Sequence, residues 1–132
     1  MKVLICDDDK CIVDEIKNNL NTFSDKHRIA FNIDLFYNGV ELLNSNISYD
    51  MAFIDTEMPL VNGLTLSAQL KKVNSNIIIF IITSHDAYLD DAMDLDVFRY
   101  LSKPIDNNRF FRALNTAINY YHSNTSSAVF VL

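Results

Sequence analysis

The feature that most constrains this chain is a set of short, nearly unbroken apolar runs at residues 3–6, 51–54 and 77–82, separated by longer segments whose apolar residues recur at helical spacing. A strand covered on one face alternates apolar with polar residues, whereas a strand covered on both faces has no wet side to show. Runs of this kind therefore predict parallel strands buried between two layers of helices. Residues 29–37 alternate instead, with Ile29, Phe31, Ile33 and Leu35 set against Arg28, Asn32 and Asp34, as expected of an edge strand with one wetter face. Residues 98–101 supply a fifth, shorter candidate.

The intervening segments read as helices. Ile12, Ile16, Leu20 and Phe23 form one stripe, Leu64, Leu66, Ala68 and Leu70 another, and Phe110, Phe111, Leu114, Ala117, Ile118 and Tyr121 a third. Short helices are expected at 38–46 and 86–95. Strand and helix alternate five times, which favours right-handed βαβ units: an α/β fold, with an open parallel sheet carrying helices on both faces. The length of 132 residues accommodates one domain with a real core. After His122 the text becomes SNTSSAVFVL, read as a polar linker that leads towards something further, or alternatively as a loosely docked tail; the expected division is 1–122 for the domain and 123–132 for the linker or the start of a further domain.

Composition narrows the function. A net charge of −6 argues against nonspecific attraction to nucleic acid or an anionic membrane. The longest apolar run has six residues and the first turns acidic at Asp7, so neither a membrane span nor a signal peptide is expected, and the chain is read as cytoplasmic. Cys6 and Cys11 lack partners at zinc-site spacing and are expected to be reduced packing thiols. With two glycines in the whole chain, a glycine-rich phosphate cradle is excluded.

In an open parallel sheet, active groups collect beyond the carboxyl ends of the strands. After the first run come Asp7, Asp8 and Asp9; after the third, Asp55; after the fourth, Thr83 and Ser84; after the fifth, Ser102, Lys103 and Pro104. Clustered carboxylates raise one another's pKa unless a hard cation sits among them, and oxygen ligands with retained waters suit Mg²⁺. The three negative charges of Asp7, Asp8 and Asp55 would be balanced by Mg²⁺ together with Lys103. If a carboxylate of this set attacks a phosphoryl group, the acyl phosphate carries about one more negative charge and needs cations and donors, which this rim contains. Taken singly these residues are ordinary: an acid before a helix is commonly an N-cap, a role assigned to Asp9, Lys103 before Pro104 would pass for a turn lysine, and Thr83 for a cap.

Together they resemble response-regulator receiver domains, the phosphorylated partners of sensor histidine kinases. The resemblance covers residue 2 to about 121 and is carried by Asp7-Asp8, Asp55-Thr56-Glu57-Met58-Pro59 with Gly63, Thr83, and Tyr100-Leu101-Ser102-Lys103-Pro104. It implies a flavodoxin-like (βα)5 doubly wound, five-stranded parallel sheet of order 2-1-3-4-5, with Asp55 as phosphoacceptor. It also implies that Asp8 and Asp55 bind Mg²⁺ directly with the Glu57 backbone carbonyl, that Asp7 acts through water, and that Lys103 contacts the phosphoryl group beside a cis Lys103–Pro104 bond. Thr83 and Tyr100 match the switch pair, which would reshape a face over 86–121 and drive homodimerisation on phosphorylation. A narrower resemblance, over TSHDAYLDDAMDLDVFRYLSKPI, is to receivers that precede LytTR-type DNA-binding domains, so any DNA contact would come through a C-terminal domain.

Ser84 stands where the family usually has alanine or glycine, and Arg99 where LytTR-like receivers commonly carry an acid. Glu57 and His85 flank the expected site at positions that tune the dephosphorylation rate in the family. Two other functions fit less well. A haloacid-dehalogenase-type phosphohydrolase wants Asp-x-Asp followed by a hydroxyl or β-branched residue, where this chain continues Lys10-Cys11 and has no cap domain. A flavin carrier of similar topology wants a hydroxyl-rich phosphate loop, where this chain has three acids.

Overall fold

The structure is a computed structural model and describes residues 1–43, 45–58, 60–84 and 97–130, with side chains to residue 124. Five strands, β1 (Lys2–Cys6), β2 (Asn32–Phe36), β3 (Met51–Asp55), β4 (Ile78–Thr83) and β5 (Arg99–Ser102), form one parallel sheet in the order β2-β1-β3-β4-β5. The helices are α1 (Lys10–His27), α2 (Val40–Leu43), α3 (Gly63–Val73) and a C-terminal helix (Asn107–Phe130). The expected helix at 86–95 lies outside the described residues.

The unbroken apolar runs have the cause inferred for them. Val3, Ile5, Met51, Phe53, Phe80 and Ile82 face one core with α1 and the C-terminal helix, while Leu4, Cys6, Ala52, Ile54, Ile79 and Ile81 face a second core with α2 and α3. In the central runs of β1, β3 and β4, period-two alternation thus leads to burial on both faces. In the first core Phe53 stacks on Phe80 at 4.7 Å and on Phe110 at 5.5 Å between ring centroids. Truncating Phe53 to alanine would cost about 3–5 kcal/mol, and Phe53 stands two residues before Asp55, so this stack also pins the strand that delivers the acid.

Boundaries move where capping chemistry competes with the apolar pattern. The expected strand over 29–37 begins only at Asn32, because α1 runs to His27, closes with Arg28 in the left-handed region (φ 55°), and ties Ile29 N–H to Ser24 O at 3.2 Å. Ile29 and Phe31 still pack on the core, which is why their alternation resembled strand. The helix expected over 38–46 contracts to Val40–Leu43, with Asn38 Oδ1 accepting from Val40 N–H at 3.1 Å.

The C-terminal helix continues through Phe130, past His122, where a polar linker was expected. Residues 123–130 contain no glycine or proline, and Ser, Thr and Asn lower helix propensity without breaking a helix already begun. Among the described residues no helix is long and apolar enough to cross a membrane.

Candidate phosphoacceptor site

The carboxyl ends of β1, β3, β4 and β5 bring the acids, the hydroxyl and the lysine together. At the end of β1, Asp7 is 1% exposed; its backbone N–H continues the ladder to Phe36 O at 3.1 Å, and its Oδ1 accepts from Asp9 N–H at 2.9 Å. Asp9 caps α1, its Oδ1 accepting from Cys11 N–H at 2.9 Å, as anticipated. Asp8, between them, is exposed.

On β3, Asp55 follows Met51 and Phe53 in register and emerges at the rim only 4% exposed, with Oδ1 accepting from Glu57 N–H at 3.2 Å. Lys103 reaches both acids: its Nζ lies 3.0 Å from Asp7 Oδ2 and 3.4 Å from Asp55 Oδ1. The Lys103 backbone is held by its N–H to Thr83 O at 2.9 Å, and the Lys103–Pro104 bond is cis.

Burial pushes the Asp55 carboxyl up to about 6, with the charge of Asp7 acting in the same direction and Lys103 opposing both. Burial also raises Asp7, against the Asp9 N–H and Lys103. For Lys103, burial favours the neutral amine, but the ion pair with Asp7, and that with Asp55, overcome it and hold the ammonium above its ordinary value.

Carboxylate oxygens of Asp7, Asp8 and Asp55 lie within 4.8 Å of one another, and the buried Asp7 Oδ2, despite the nearby ammonium, has no partner in hydrogen-bond geometry. Close acidic oxygens with an unsatisfied lone pair are a donor set that fits Mg²⁺.

The sequence pattern did not reveal three contacts. Thr56 donates its hydroxyl to Thr83 Oγ1 at 2.9 Å in a buried pair, so the Thr83 hydroxyl is engaged across β3 and β4. Thr83 pairs in register with Ser102 and Ile81 with Tyr100, which places Tyr100 diagonally beside Thr83 on the sheet face that packs on α3. Gly63, at the start of α3, sits so close to the rim that a Cβ there would lie 2.0 Å from the Asp55 carbonyl oxygen. Its N–H bonds Thr56 O at 3.3 Å. Only the one-residue identity of Gly63 could have signalled this approach.

Cys6 is buried in the second core, 3.5 Å from Met58 Sδ, and burial, with the neighbouring acids, pushes its thiol up to about 12, as suits an inert packing residue. Cys11 departs from expectation: it is exposed, because the buried stripe of α1 is Val13, Ile16, Leu20 and Phe23 and Cys11 falls outside it. The Glu57 side chain and Ser84 are exposed, and His85 lies outside the described residues.

A family model described as the response regulator receiver domain matches residues 3–115. The chain belongs to the response regulator receiver family, the phosphoacceptor domains of two-component systems. It is 33% identical over 118 residues to the sensory transduction protein LytR of Staphylococcus haemolyticus, an alignment covering 87% of this chain and 44% of that protein. It is 31% identical over 133 residues to the transcriptional regulatory protein LytR of Staphylococcus aureus, covering 98% and 52% respectively. The solved structure of a response regulator receiver domain protein from Clostridium thermocellum superposes with a TM-score of 0.73 at 27% identity, over 90% of this chain and 94% of that one. The chain spans about half the length of the LytR relatives.

Proposed function

We propose that Asp55 takes a phosphoryl group from a phosphohistidine of a sensor histidine kinase, in the cytoplasm. A carboxylate oxygen forms the new P–O bond as the P–N bond breaks, and the imidazole leaves with the electron pair. The observation that carries this reading is the shared ammonium: Lys103 within 3.4 Å of both Asp7 and Asp55 on a rim of three clustered acids. A buried carboxylate held by one N–H and one ammonium is oriented for attack.

Asp8, Asp55 and the Glu57 carbonyl, with Asp7 acting through water, are the groups that would hold Mg²⁺, which when bound would offset charge on the phosphoryl oxygens. Lys103 is placed to move from the carboxylates to a phosphoryl oxygen. The Thr83 hydroxyl would exchange Thr56 for that oxygen, and Tyr100, half-buried beside it, would turn inward into the vacated space. Phosphorylation of Asp55 then reshapes the face over 86–121, which forms a homodimer. Residues 1–122 act as the receiver, and 123–132 lead towards a C-terminal DNA-binding output domain, a role supported by relatives named as LytR transcriptional regulators and about twice as long. In this reading the chain is a regulated phosphoacceptor rather than a turnover enzyme.

Incubation with Mg²⁺ and acetyl phosphate, followed by intact-mass measurement, is expected to show one labile phosphoryl group that EDTA prevents. Label persisting in Asp55→Asn would reject Asp55 as the acceptor. Light scattering with and without beryllofluoride tests the dimer, and a monomer in both states would count against it.

A further inference from the structure

Thr56, the residue after the acceptor, is fixed from three directions. Its N–H donates to Ile82 O on β4 at 3.3 Å, its carbonyl accepts from Gly63 N–H at the start of α3 at 3.3 Å, and its hydroxyl donates to Thr83 Oγ1 at 2.9 Å. Both threonines are buried, Thr56 at 2% exposure and Thr83 at 3%. With its main chain tied to β4 and to α3, Thr56 is held in place and cannot follow a side chain that moves away from it. Parity decides which way such a movement runs. Along β3 and just past its end, Met51, Phe53 and Asp55 alternate with Ala52, Ile54 and Thr56, and on β4 Thr83 shares the parity of Ile79 and Ile81. Ala52, Ile54, Ile79 and Ile81 face the core with α3. Thr56 and Thr83 continue that side, whereas Asp55 continues the opposite one. A Thr83 hydroxyl drawn to an oxygen carried on Asp55 is therefore drawn off Thr56.

The Thr56 hydroxyl left behind stays buried, and a buried donor without an acceptor costs more than an average hydrogen bond contributes. A valine at this position would leave no polar group stranded. We propose that Thr56 is a positioning residue that acts through Thr83: its hydroxyl latches the switch threonine in the resting arrangement and so sets the threshold for switching. The proposal rests on the switch role given above to Thr83 and deepens it by assigning the resting hold to one residue, which itself makes no contact with the phosphoryl group. A ligand that requires a minor state binds more weakly in proportion to the scarcity of that state. Loss of the latch should therefore tighten the binding of a phosphoryl mimic, although it removes a hydrogen bond from the resting fold.

Titration of the whole chain with beryllofluoride in the presence of Mg²⁺, followed by fluorine NMR of the bound fluorides, tests this beside urea unfolding. Thr56→Val is expected to unfold at lower urea and yet to bind beryllofluoride about tenfold more tightly, opposite signs that a merely structural role would not produce. Thr56→Ala should behave as Thr56→Val does, which separates loss of the hydroxyl from any misfit of valine. Thr56→Ser keeps the hydroxyl and should restore wild-type affinity. In a Thr83→Ala background, Thr56→Val should change affinity by less than about twofold, since the latch has nothing to hold. Unchanged or weaker beryllofluoride binding in both Thr56→Val and Thr56→Ala, an equal gain in Thr56→Ser, or the same gain in the Thr83→Ala background would each overturn the latch. If Thr83→Ala alone weakens beryllofluoride binding while Thr56→Val leaves it unchanged, the latch falls and the switch role of Thr83 stands. If Thr83→Ala alone binds as the wild type does, the switch role falls and the latch falls with it.

Discussion

Replacing Gly63 with alanine should damage the site through backbone sterics, with no polar group removed. The added Cβ would meet the Asp55 carbonyl oxygen at 2.0 Å, the Asp55 carbonyl carbon at 2.8 Å and Thr56 Cα at 3.0 Å, all main-chain atoms that cannot rotate away. Relief requires α3 and the end of β3 to part by about 1 Å, which strains the Gly63 N–H bond to Thr56 O and shifts the peptide that carries the acceptor. Overpacking of this kind costs about 1–3 kcal/mol, offset in part by alanine's better helix propensity. A net loss of about 1–2 kcal/mol corresponds to a fall of roughly 4–8 °C in Tm for a domain of this size. A displacement of about 1 Å at the reacting carboxylate should slow labelling by acetyl phosphate about a hundredfold. Gly39→Ala is the matched control, since the atoms nearest its Cβ are side-chain atoms of Val61, at 2.9 and 3.1 Å, and Leu66, at 3.6 Å, rather than the Asp55 and Thr56 backbone, and it should leave labelling intact. Wild-type labelling and Tm in Gly63→Ala would refute the claim that close approach of α3 positions Asp55.

Other outcomes follow from the charges. The folded Asp55 carboxyl stands at about 6 against an ordinary 3.8, so in metal-free buffer its contribution to stability is fully present below about 3.8 and is lost as pH rises through about 6. Mg²⁺ should therefore raise Tm at pH 7.5 and have little effect at pH 4.5, which thermal melts with Mg²⁺ or EDTA would check. Lys103→Met should abolish labelling and destabilise the chain more at pH 7.5 than at pH 5, because a protonated Asp55 no longer needs the ammonium; an equal loss at both pH values would contradict the ion pairing at 3.0 and 3.4 Å. Thr56→Val removes the donor to Thr83 Oγ1 and should cost about 1 kcal/mol, measurable in urea titrations.

The architecture was legible in the sequence because burial on both faces erases alternation in the central strands, and that erasure is visible in single residues such as Ala52 between Met51 and Phe53. The site was legible for a related reason: an acid that continues the parity of a buried strand, as Asp55 does, emerges at the rim. What stayed hidden was set by contacts distant in sequence or by competing local chemistry. The hydrogen bond from Thr56 to Thr83 joins neighbouring strands, and nothing in either residue's surroundings announces it. Segment 28–31 keeps an apolar rhythm while its backbone closes a helix, and Cys11 lies one turn position away from a stripe that its neighbour Ile12 partly joins.

Lys103 also imposes an order on events at the rim. Its ammonium lies nearer Asp7 than Asp55, yet phosphorylation would exchange one negative charge at Asp55 for about two and draw the ammonium towards the phosphoryl oxygens. Asp7, 1% exposed and with Oδ2 lacking a hydrogen-bond partner, would then depend on a cation reached through water. Asp7→Asn should consequently act in opposite directions on two measurements. Without metal it removes a charge that holds the Asp55 carboxyl up, so Asp55 should titrate nearer its ordinary value and the loss of stability between about pH 4 and 6 should shrink. With metal it removes one of three charges facing the cation, and Mg²⁺ affinity, followed by calorimetric titration, should fall about tenfold or more. Wild-type Mg²⁺ affinity in Asp7→Asn would show that the buried acid serves Lys103 alone.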